Sequence, residues 1–447
     1  MGIPASPSAS PSASTGASTG ASAAIAAPSE FERRTFAKIA WRLLPLLSVS
    51  YVLNYMDRNN VGFAALSMNH AIGLTAAQFG TGAGILFIGY CLFDVPSNIA
   101  LHHYGTRAWI ARIMITWGLI SAGTIFVAGP KSWYLLRFLL GVAEAGFYPG
   151  IVFYITTWFP AAYRTRMLVW LLLAIPVSTV VGAPISGLLL GMDGVAGLAG
   201  WKWLFIIEGI PVVLLGFAVL WMLSDTPDQA RWLTEEEKEV VRQRIASERH
   251  AGEIKHLWPA LKDTRVLMLA LVQFGFTTGS YGVGIWLPQI IKTSHISNRD
   301  VGFVTGICYA IACVGMMIWA ARVDRSGKRI FNLTIGCLLS TAGLVFAILS
   351  TNFWASLAWV TVALIGINAA RAIFWTIPGR FLTGIASAGG LAFINSVGTV
   401  GGFVGPALMG WLKDRTNSFS AGLLAMAGFL LVSTALSWSM KLIVRQE

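Results

Sequence analysis

The sequence predicts an all-α polytopic membrane protein of twelve transmembrane helices, arranged as two halves of six helices each. The first observation is composition, because 55% of the 447 residues are hydrophobic and only 12% are charged. Soluble domains contain roughly 25% charged residues, so this chain is too apolar to fold in water alone. The second observation is that the apolar residues form runs of about 20, the length that crosses a bilayer as a helix.

Twelve apolar runs follow one another along the chain. Proline interrupts several of them, for example Pro176, Pro184 and Pro406, and membrane helices tolerate such residues. The runs lie near residues 41–63, 79–101, 108–128, 133–157, 166–190, 203–223, 265–287, 301–321, 331–350, 355–379, 389–412 and 420–443.

A long polar segment after the sixth run divides the chain. It is rich in Glu, Lys and Arg, and Thr234 followed by Glu237 has the spacing of a helix capping box. We therefore expect an amphipathic surface helix there. The predicted segments are a disordered Ser/Ala/Pro-rich tail at 1–29, a six-helix bundle at 30–223, a cytoplasmic central loop at 224–264 and a second six-helix bundle at 265–447.

The basic residues predict the orientation in the membrane. Loops on the cytoplasmic side of membrane proteins carry an excess of Lys and Arg. The side of both termini has fifteen: Arg33, Arg34, Lys38, Arg42, Arg107, Arg112, Arg164, Arg166, Arg322, Arg325, Lys328, Arg329, Arg380, Lys441 and Arg445. The opposite side has six: Lys131, Lys202, Lys292, Arg299, Lys413 and Arg415. Both termini are therefore expected in the cytoplasm.

Several function classes are excluded by what the sequence contains. The cysteines lie inside apolar runs without metal-ligand spacing, so we expect no disulfide scaffold, metal or cofactor. The net charge of +12 is spread over short loops, which argues against a nucleic-acid partner. A polytopic membrane enzyme is disfavoured because no nucleophile–base pair or phosphate loop is present.

Two loops resemble each other across the halves. Gly105 and Gly327, in the loops after the second and eighth runs, are 222 residues apart, about the same as the first and seventh runs. The second loop resembles the Asp-Arg-x-Gly-Arg-Arg signature of major facilitator transporters, whereas His102 takes the acid position in the first copy. That signature is formed by Asp324, Arg325, Gly327, Lys328 and Arg329.

Further motifs resemble the anion:cation symporter branch of that superfamily, which includes tartrate, phthalate and sugar-acid permeases. They are Tyr55–Asn59, Asp94–Asn98, Gly141–Gly150, Gly200–Pro211 and Asn395–Pro406. The resemblance covers residues 31–447. It implies that Arg58 binds the substrate carboxylate, that Asp57 and Glu144 couple protons, and that Arg137 belongs to the anion path.

Charges inside the spans are candidate functional residues, because each costs roughly 2.5–3.5 kcal/mol at the bilayer centre. Arg137 and Glu144 are seven residues apart and share one helix face, with Gly141 between them leaving room for a ligand. Each functional role has a structural alternative. Arg137 and Glu144 could form an internal pair with each other. Asp57 and Arg58 could form an ion pair that locks the first and fourth spans together.

Arg371, in the tenth span, either faces the cavity and binds an anion or extends towards the cytoplasm. Asp94 is expected in a gate or helix cap, and Glu208 in a structural pair with Lys202. Polar side chains that would complete the substrate site are Tyr90, Tyr281 and Asn395, with packing as their alternative role.

These features predict a monomeric transporter in a plasma membrane, expected to be a bacterial inner membrane. We expect proton-coupled symport of a small organic anion by alternating access, with the anion, protons and the lipid bilayer as partners. An anion exchanger without proton flow uses the same arginines and is one alternative. Drug or metabolite efflux is the other.

The uncharged tail gives a first test. We expect deletion of residues 2–28 to leave the transport rate per inserted molecule unchanged, because the tail has no charge or apolar periodicity with which to dock. Uptake normalised to protein in the membrane measures this. A several-fold loss would contradict it.

Overall fold

The computed structural model describes residues 29–246, 263–378 and 384–443. Within these ranges twelve helical spans are long and apolar enough to cross a membrane, which confirms the predicted fold class. Spans 1 to 6 are Glu30–Ile72, Ala76–Tyr104, Thr106–Gly123, Pro130–Glu144 with Phe147–Trp158, Ala161–Leu172 with Ala174–Leu190, and Gly200–Met222. Spans 7 to 12 are Thr264–Lys292, Asn298–Ser326, Arg329–Leu349, Phe353–Phe374, Gly384–Thr416 and Ser420–Ile443.

Span 4 is broken in its middle. Its first helix ends at Glu144, and Gly146 has a φ of 82°, a left-handed conformation that favours glycine. The chain then resumes as a second helix, Phe147–Trp158. By contrast, Pro184 and Pro406 lie within continuous helices, as expected for membrane helices.

The helix between the halves, Glu235–Ala246, begins with the predicted capping box. The amide of Thr234 donates to the Glu237 carboxylate at 2.9 Å, and the Glu237 amide donates to the Thr234 hydroxyl at 3.3 Å. Glu237 also binds Lys38 at 2.7 Å, which places the start of span 1 beside this helix. Residues 247–262 of the predicted central loop and the tail at 1–28 lie outside the described residues.

The two sets of six spans touch at the membrane side away from the linker helix, here called the far side. Asp414, near the end of span 11, accepts hydrogen bonds from the amides of Ala76 and Ala77 at 3.0 and 2.8 Å. These amides open span 2, so the carboxylate of one half caps a helix of the other. A helix N-terminus carries unpaired amides and partial positive charge, which a carboxylate satisfies.

Close packing continues this contact inward. Phe79 of span 2 packs edge-on against Trp286 of span 7, with ring centroids 5.2 Å apart. Spans 5 and 8 meet where a Cβ added at Gly187 would lie only 2.9 Å from the Cα of Gly302. The space between the halves is therefore closed on the far side.

The cap across the halves gives a second test. We expect Asp414→Ala to destabilise the closed far side by about 1 kcal/mol, the typical cost of losing a helix cap, or roughly fivefold in the open fraction. Spin labels are placed at His70 of the first half and Thr293 of the second, both exposed near the far side. Double electron–electron resonance then measures the distance between the two halves on that side.

The control for this experiment is Thr416→Ala. Thr416 lies two residues further along the same helix end, and its hydroxyl donates to the carbonyl of Leu412 in its own half. Equal distance distributions in the Asp414 variant and the wild type would show that the cap does not hold the far side closed.

Candidate functional site

A cavity lies between the two halves, with about 440 Å³ of space when the part open to solvent is counted. Five spans contribute to its wall, so neither half forms it alone. Residues from the first half are Tyr55, Asn59, Ile175, Pro176 and Thr179, and those from the second half are Ser280, Tyr281, Gly284, Tyr309, Leu364, Asn368 and Arg371.

Arg371 is the cation on the cavity wall, and its guanidinium donates to the Ser280 hydroxyl of span 7. In the part of the chain that the structure describes, it forms no ion pair with a carboxylate. Of the two alternatives for this residue, the geometry favours the cavity. Arg380, nine residues further along the chain and expected on the cytoplasmic side, lies outside the described residues.

Arg58 and Glu144 form an ion pair behind the cavity wall. The Arg58 Nε lies 2.7 Å from the Glu144 Oε2, and the Asn54 amide donates to the same oxygen at 3.0 Å. The side chains are only 10% and 0% exposed. An ion pair of the first and fourth spans is therefore present, formed by Glu144 rather than by Asp57.

Aromatic rings surround the guanidinium of Arg58. It lies 4.9 Å from the ring centre of Tyr90 and 5.5 Å from that of Tyr55, which also lines the cavity. Tyr281 lines the cavity too and packs on Phe87, with ring centroids 4.4 Å apart. Thus Tyr90 contacts Arg58, Tyr281 faces the cavity, and both lie within one cluster.

Arg137 is fully buried on span 4, and among the described residues it does not pair with Glu144, so the alternative of an internal pair between these two residues is wrong. Its Nη2 lies 3.5 Å from the Ala83 carbonyl, and its guanidinium lies 5.4 Å from the Trp133 ring centre. Its Nε and the Glu144 Oε1 are both buried, with no hydrogen-bond partner among the described residues.

Gly141 does not leave room for a ligand, contrary to our expectation. A Cβ there would lie 2.0 Å from the carbonyl oxygen of Leu86, so this glycine allows span 4 to pack closely on span 2. The shared helix face of Arg137 and Glu144 is thus a packing face.

Asp57 and Glu208 form a second polar cluster, buried inside the first half. Asp57 accepts from the Ser121 hydroxyl, from Trp117 at 3.1 Å and from Asn60 at 3.2 Å. The same Asn60 nitrogen donates to Glu208 at 2.9 Å.

Glu208 differs from its predicted pairing with Lys202. It accepts from Asn60 and, at 2.8 Å, from the Ser186 hydroxyl, whereas Lys202 lies 5.4 Å from the ring centre of Trp201. Six residues on a helix are more than one and a half turns, so Glu208 and Lys202 lie on different faces. Sequence analysis missed Asn60, although its polar side chain in an apolar run, three residues after Asp57, was a signal.

Asp94 caps the break in span 4. Its carboxylate accepts from the Gly146 amide at 3.1 Å, while the Ser97 hydroxyl donates to the Ala145 carbonyl at 2.6 Å. A break leaves backbone groups without helical partners, and these two side chains of span 2 satisfy them. Asp94 therefore positions the chain directly after Glu144.

The remaining predicted residues lie away from this centre. Asn395 is half-buried and is not part of the cavity wall described above. In the signature loop, Gly327 ends span 8 with a φ of 69°, Arg325 is exposed, and Arg329 donates to the Thr376 carbonyl at 2.9 Å. The side chain of Asp324 lies outside the described residues.

Comparisons with known proteins agree with this architecture. A family model described as Major Facilitator Superfamily matches residues 47–406. A putative tartrate transporter of Agrobacterium vitis is 47% identical over 411 residues, which cover 92% of each chain. A quinolone resistance transporter of Acinetobacter baumannii is 40% identical over 413 residues, covering 92% of this chain and 95% of that protein.

A solved structure shares the fold. The bacterial homologue of the human lysosomal transporter Spinster, in an inward-facing and occupied conformation, has a TM-score of 0.74 at 16% identity, covering 89% of this chain and 96% of that one. With twelve spans, a cavity between the halves and this family match, the chain belongs to the Major Facilitator Superfamily and is a multi-pass membrane transporter of small molecules, not an enzyme.

Proposed function

We propose that this transporter carries out proton-coupled symport of a small organic anion, such as tartrate, phthalate or a sugar acid. The observation that carries the proposal is the buried Arg58–Glu144 ion pair directly behind the cavity wall. Arg371 on the opposite wall, which forms no ion pair with a carboxylate of the described residues, supports it. Two relatives named putative tartrate transporters support the substrate class.

The ion pair offers a coupling mechanism. Arg58 has a planar fork that binds one carboxylate well, so Glu144 and a substrate carboxylate compete for it. When Glu144 takes a proton at its carboxylate oxygen, it becomes neutral and its hold on Arg58 weakens. A substrate carboxylate then replaces Glu144 at Arg58, so proton and anion bind together. Loss of the proton reverses the exchange and releases the anion.

Alternating access completes the proposal. We propose that residues 30–223 and 265–447 move as two six-helix units, joined by the segment 224–264. In the proposed orientation, both termini lie on the cytoplasmic side of a bacterial inner membrane. The far side then faces outward, so the state closed on the far side opens inward. Arg137, buried without a carboxylate within pairing distance in the described residues, adds positive charge beside this path. We propose a monomer, since each chain contains both walls of the cavity.

Efflux is the second candidate, because a relative is named a quinolone resistance transporter. Exchange of one anion for another without protons is the third. Symport is favoured over exchange because exchange does not need the ionisable Glu144 at Arg58. The arginines favour an anionic substrate over a cationic drug.

Transport by the purified chain in liposomes distinguishes these functions. We expect uptake of an organic acid from a panel of tartrate, phthalate and a sugar acid to be driven by an imposed pH gradient, acidic outside, and abolished by a protonophore. Uptake that requires an anion inside and ignores the gradient would establish exchange. Export of quinolones with no organic-acid uptake would establish efflux.

Glu144→Gln tests the coupling step. Glutamine is neutral and cannot release a proton, so Arg58 stays available and anion binding loses its pH dependence. We expect counterflow of labelled substrate to persist while accumulation along an imposed pH gradient is lost. Glu235→Gln, on the exposed linker helix, is the matched control. A Glu144 variant that still concentrates substrate would remove this residue from coupling.

Arg371→Ala tests whether the substrate has a second carboxylate that binds Arg371. Arg58 and Arg371 belong to different halves, so a ligand that reaches both has two anionic ends, or one anionic end and one strongly polar end. We expect dicarboxylate binding to weaken about tenfold or more, because a carboxylate left without its partner loses over about 1.4 kcal/mol. Binding of a monocarboxylate should change little.

Competition binding on purified protein compares the two ligand classes. Arg299→Ala, at an exposed arginine in the first turn of span 8, is the control. Equal losses for dicarboxylate and monocarboxylate would show that Arg371 does not contact a second carboxylate.

A further inference from the structure

The Asp57–Glu208 cluster is separate from the cavity, and no cation of the described residues pairs with it. Asp57, Asn60 and Glu208 are only 1–3% exposed, and none of them lines the cavity. Within the described part of the chain, no Lys, Arg or His lies within ion-pairing distance of either carboxylate. Two carboxylates of span 1 and span 6 are instead joined through one amide nitrogen, that of Asn60.

Two negative charges at this place are expensive. Charges in the membrane interior are tolerated when they pair with an opposite charge or line a water-filled cavity, and this cluster does neither. Its hydrogen-bond donors are neutral groups: Ser121 and Trp117 on span 3, Ser186 on span 5 and Asn60 on span 1. Repulsion between the carboxylates adds to the cost.

The charges on a neighbouring helix do not compensate the cluster. Arg137 and Glu144 of span 4 both act on Asp57 through their charges, with opposite signs. Their effects on Asp57 oppose each other, so the two carboxylates have no strong positive neighbour among the described residues.

We propose that Asp57 and Glu208 together hold one resident proton, on the Glu208 carboxyl, that stays bound throughout the transport cycle. Asp57 accepts from three donors and Glu208 from two, so the anion is better stabilised at Asp57. The proton therefore resides on Glu208.

The Ser186 hydroxyl gives the bound proton an acceptor. A protonated carboxyl group donates one hydrogen bond, and a hydroxyl oxygen can accept as well as donate. The Ser186 Oγ lies 2.8 Å from a Glu208 carboxylate oxygen, so a proton on that oxygen has a partner without any change at Asn60. The Asn60 nitrogen then keeps its hydrogen bonds to both side chains.

Infrared spectroscopy of the purified full chain in lipid at neutral pH tests the proposal. The carbonyl stretch of a protonated carboxyl is separate from that of a carboxylate. We expect this band in the wild type and its loss in Glu208→Gln. We also expect its loss in Asp57→Asn, because removal of one negative charge lets Glu208 ionise. Glu144→Gln and the control Glu235→Gln should keep the band.

Several results would overturn the proposal: no band in the wild type, a band that survives in either cluster variant, or a band lost in Glu144→Gln. Loss on adding sodium ions would show that the cluster's oxygen atoms bind a metal ion instead. In the transport assay, Glu208→Gln should keep uptake driven by the pH gradient, since it mimics the neutral carboxyl. The spectrum requires no transport, so failure of the symport proposal would leave this result interpretable.

Discussion

The ion pair between Arg58 and Glu144 is the interaction on which the rest of the site depends. It joins spans 1 and 4 in an environment where an unpaired charge is expensive, so it fixes the relative position of these two helices. It also stands directly behind the cavity wall, where the Tyr55 and Tyr90 rings surround the guanidinium. A group that replaces or protonates Glu144 therefore alters both the helix contact and the cavity.

The break in span 4 positions Glu144 for its ion pair with Arg58. Span 4 ends its first helix at Glu144 and turns at Gly146, and the freed backbone groups bind Asp94 and Ser97 of span 2. A continuous helix would place the residues after Glu144 elsewhere and leave Asp94 without its amide. Spans 1, 2 and 4 are thus held together by polar contacts at one depth, and apolar packing at Gly141 maintains their close approach.

The two halves contribute different chemistry. The first half contains the buried carboxylates and two arginines, while the second half presents Arg371, Ser280 and Tyr309 on the cavity wall. Proton chemistry is therefore proposed for the first half and anion binding for the interface between the halves. On the far side, the Asp414 carboxylate of the second half caps span 2 of the first half. This contact forms when the far side is closed.

The sequence by itself determined the twelve spans and the identity of the costly charges, because apolar length and composition are local properties of the chain. It also indicated the capping box at Thr234. Only the tertiary structure decided which charges meet. Glu144 pairs with Arg58 rather than Arg137, and Glu208 with Asn60 rather than Lys202, because partners on different helices depend on helix rotation and packing depth, which no spacing along one helix encodes.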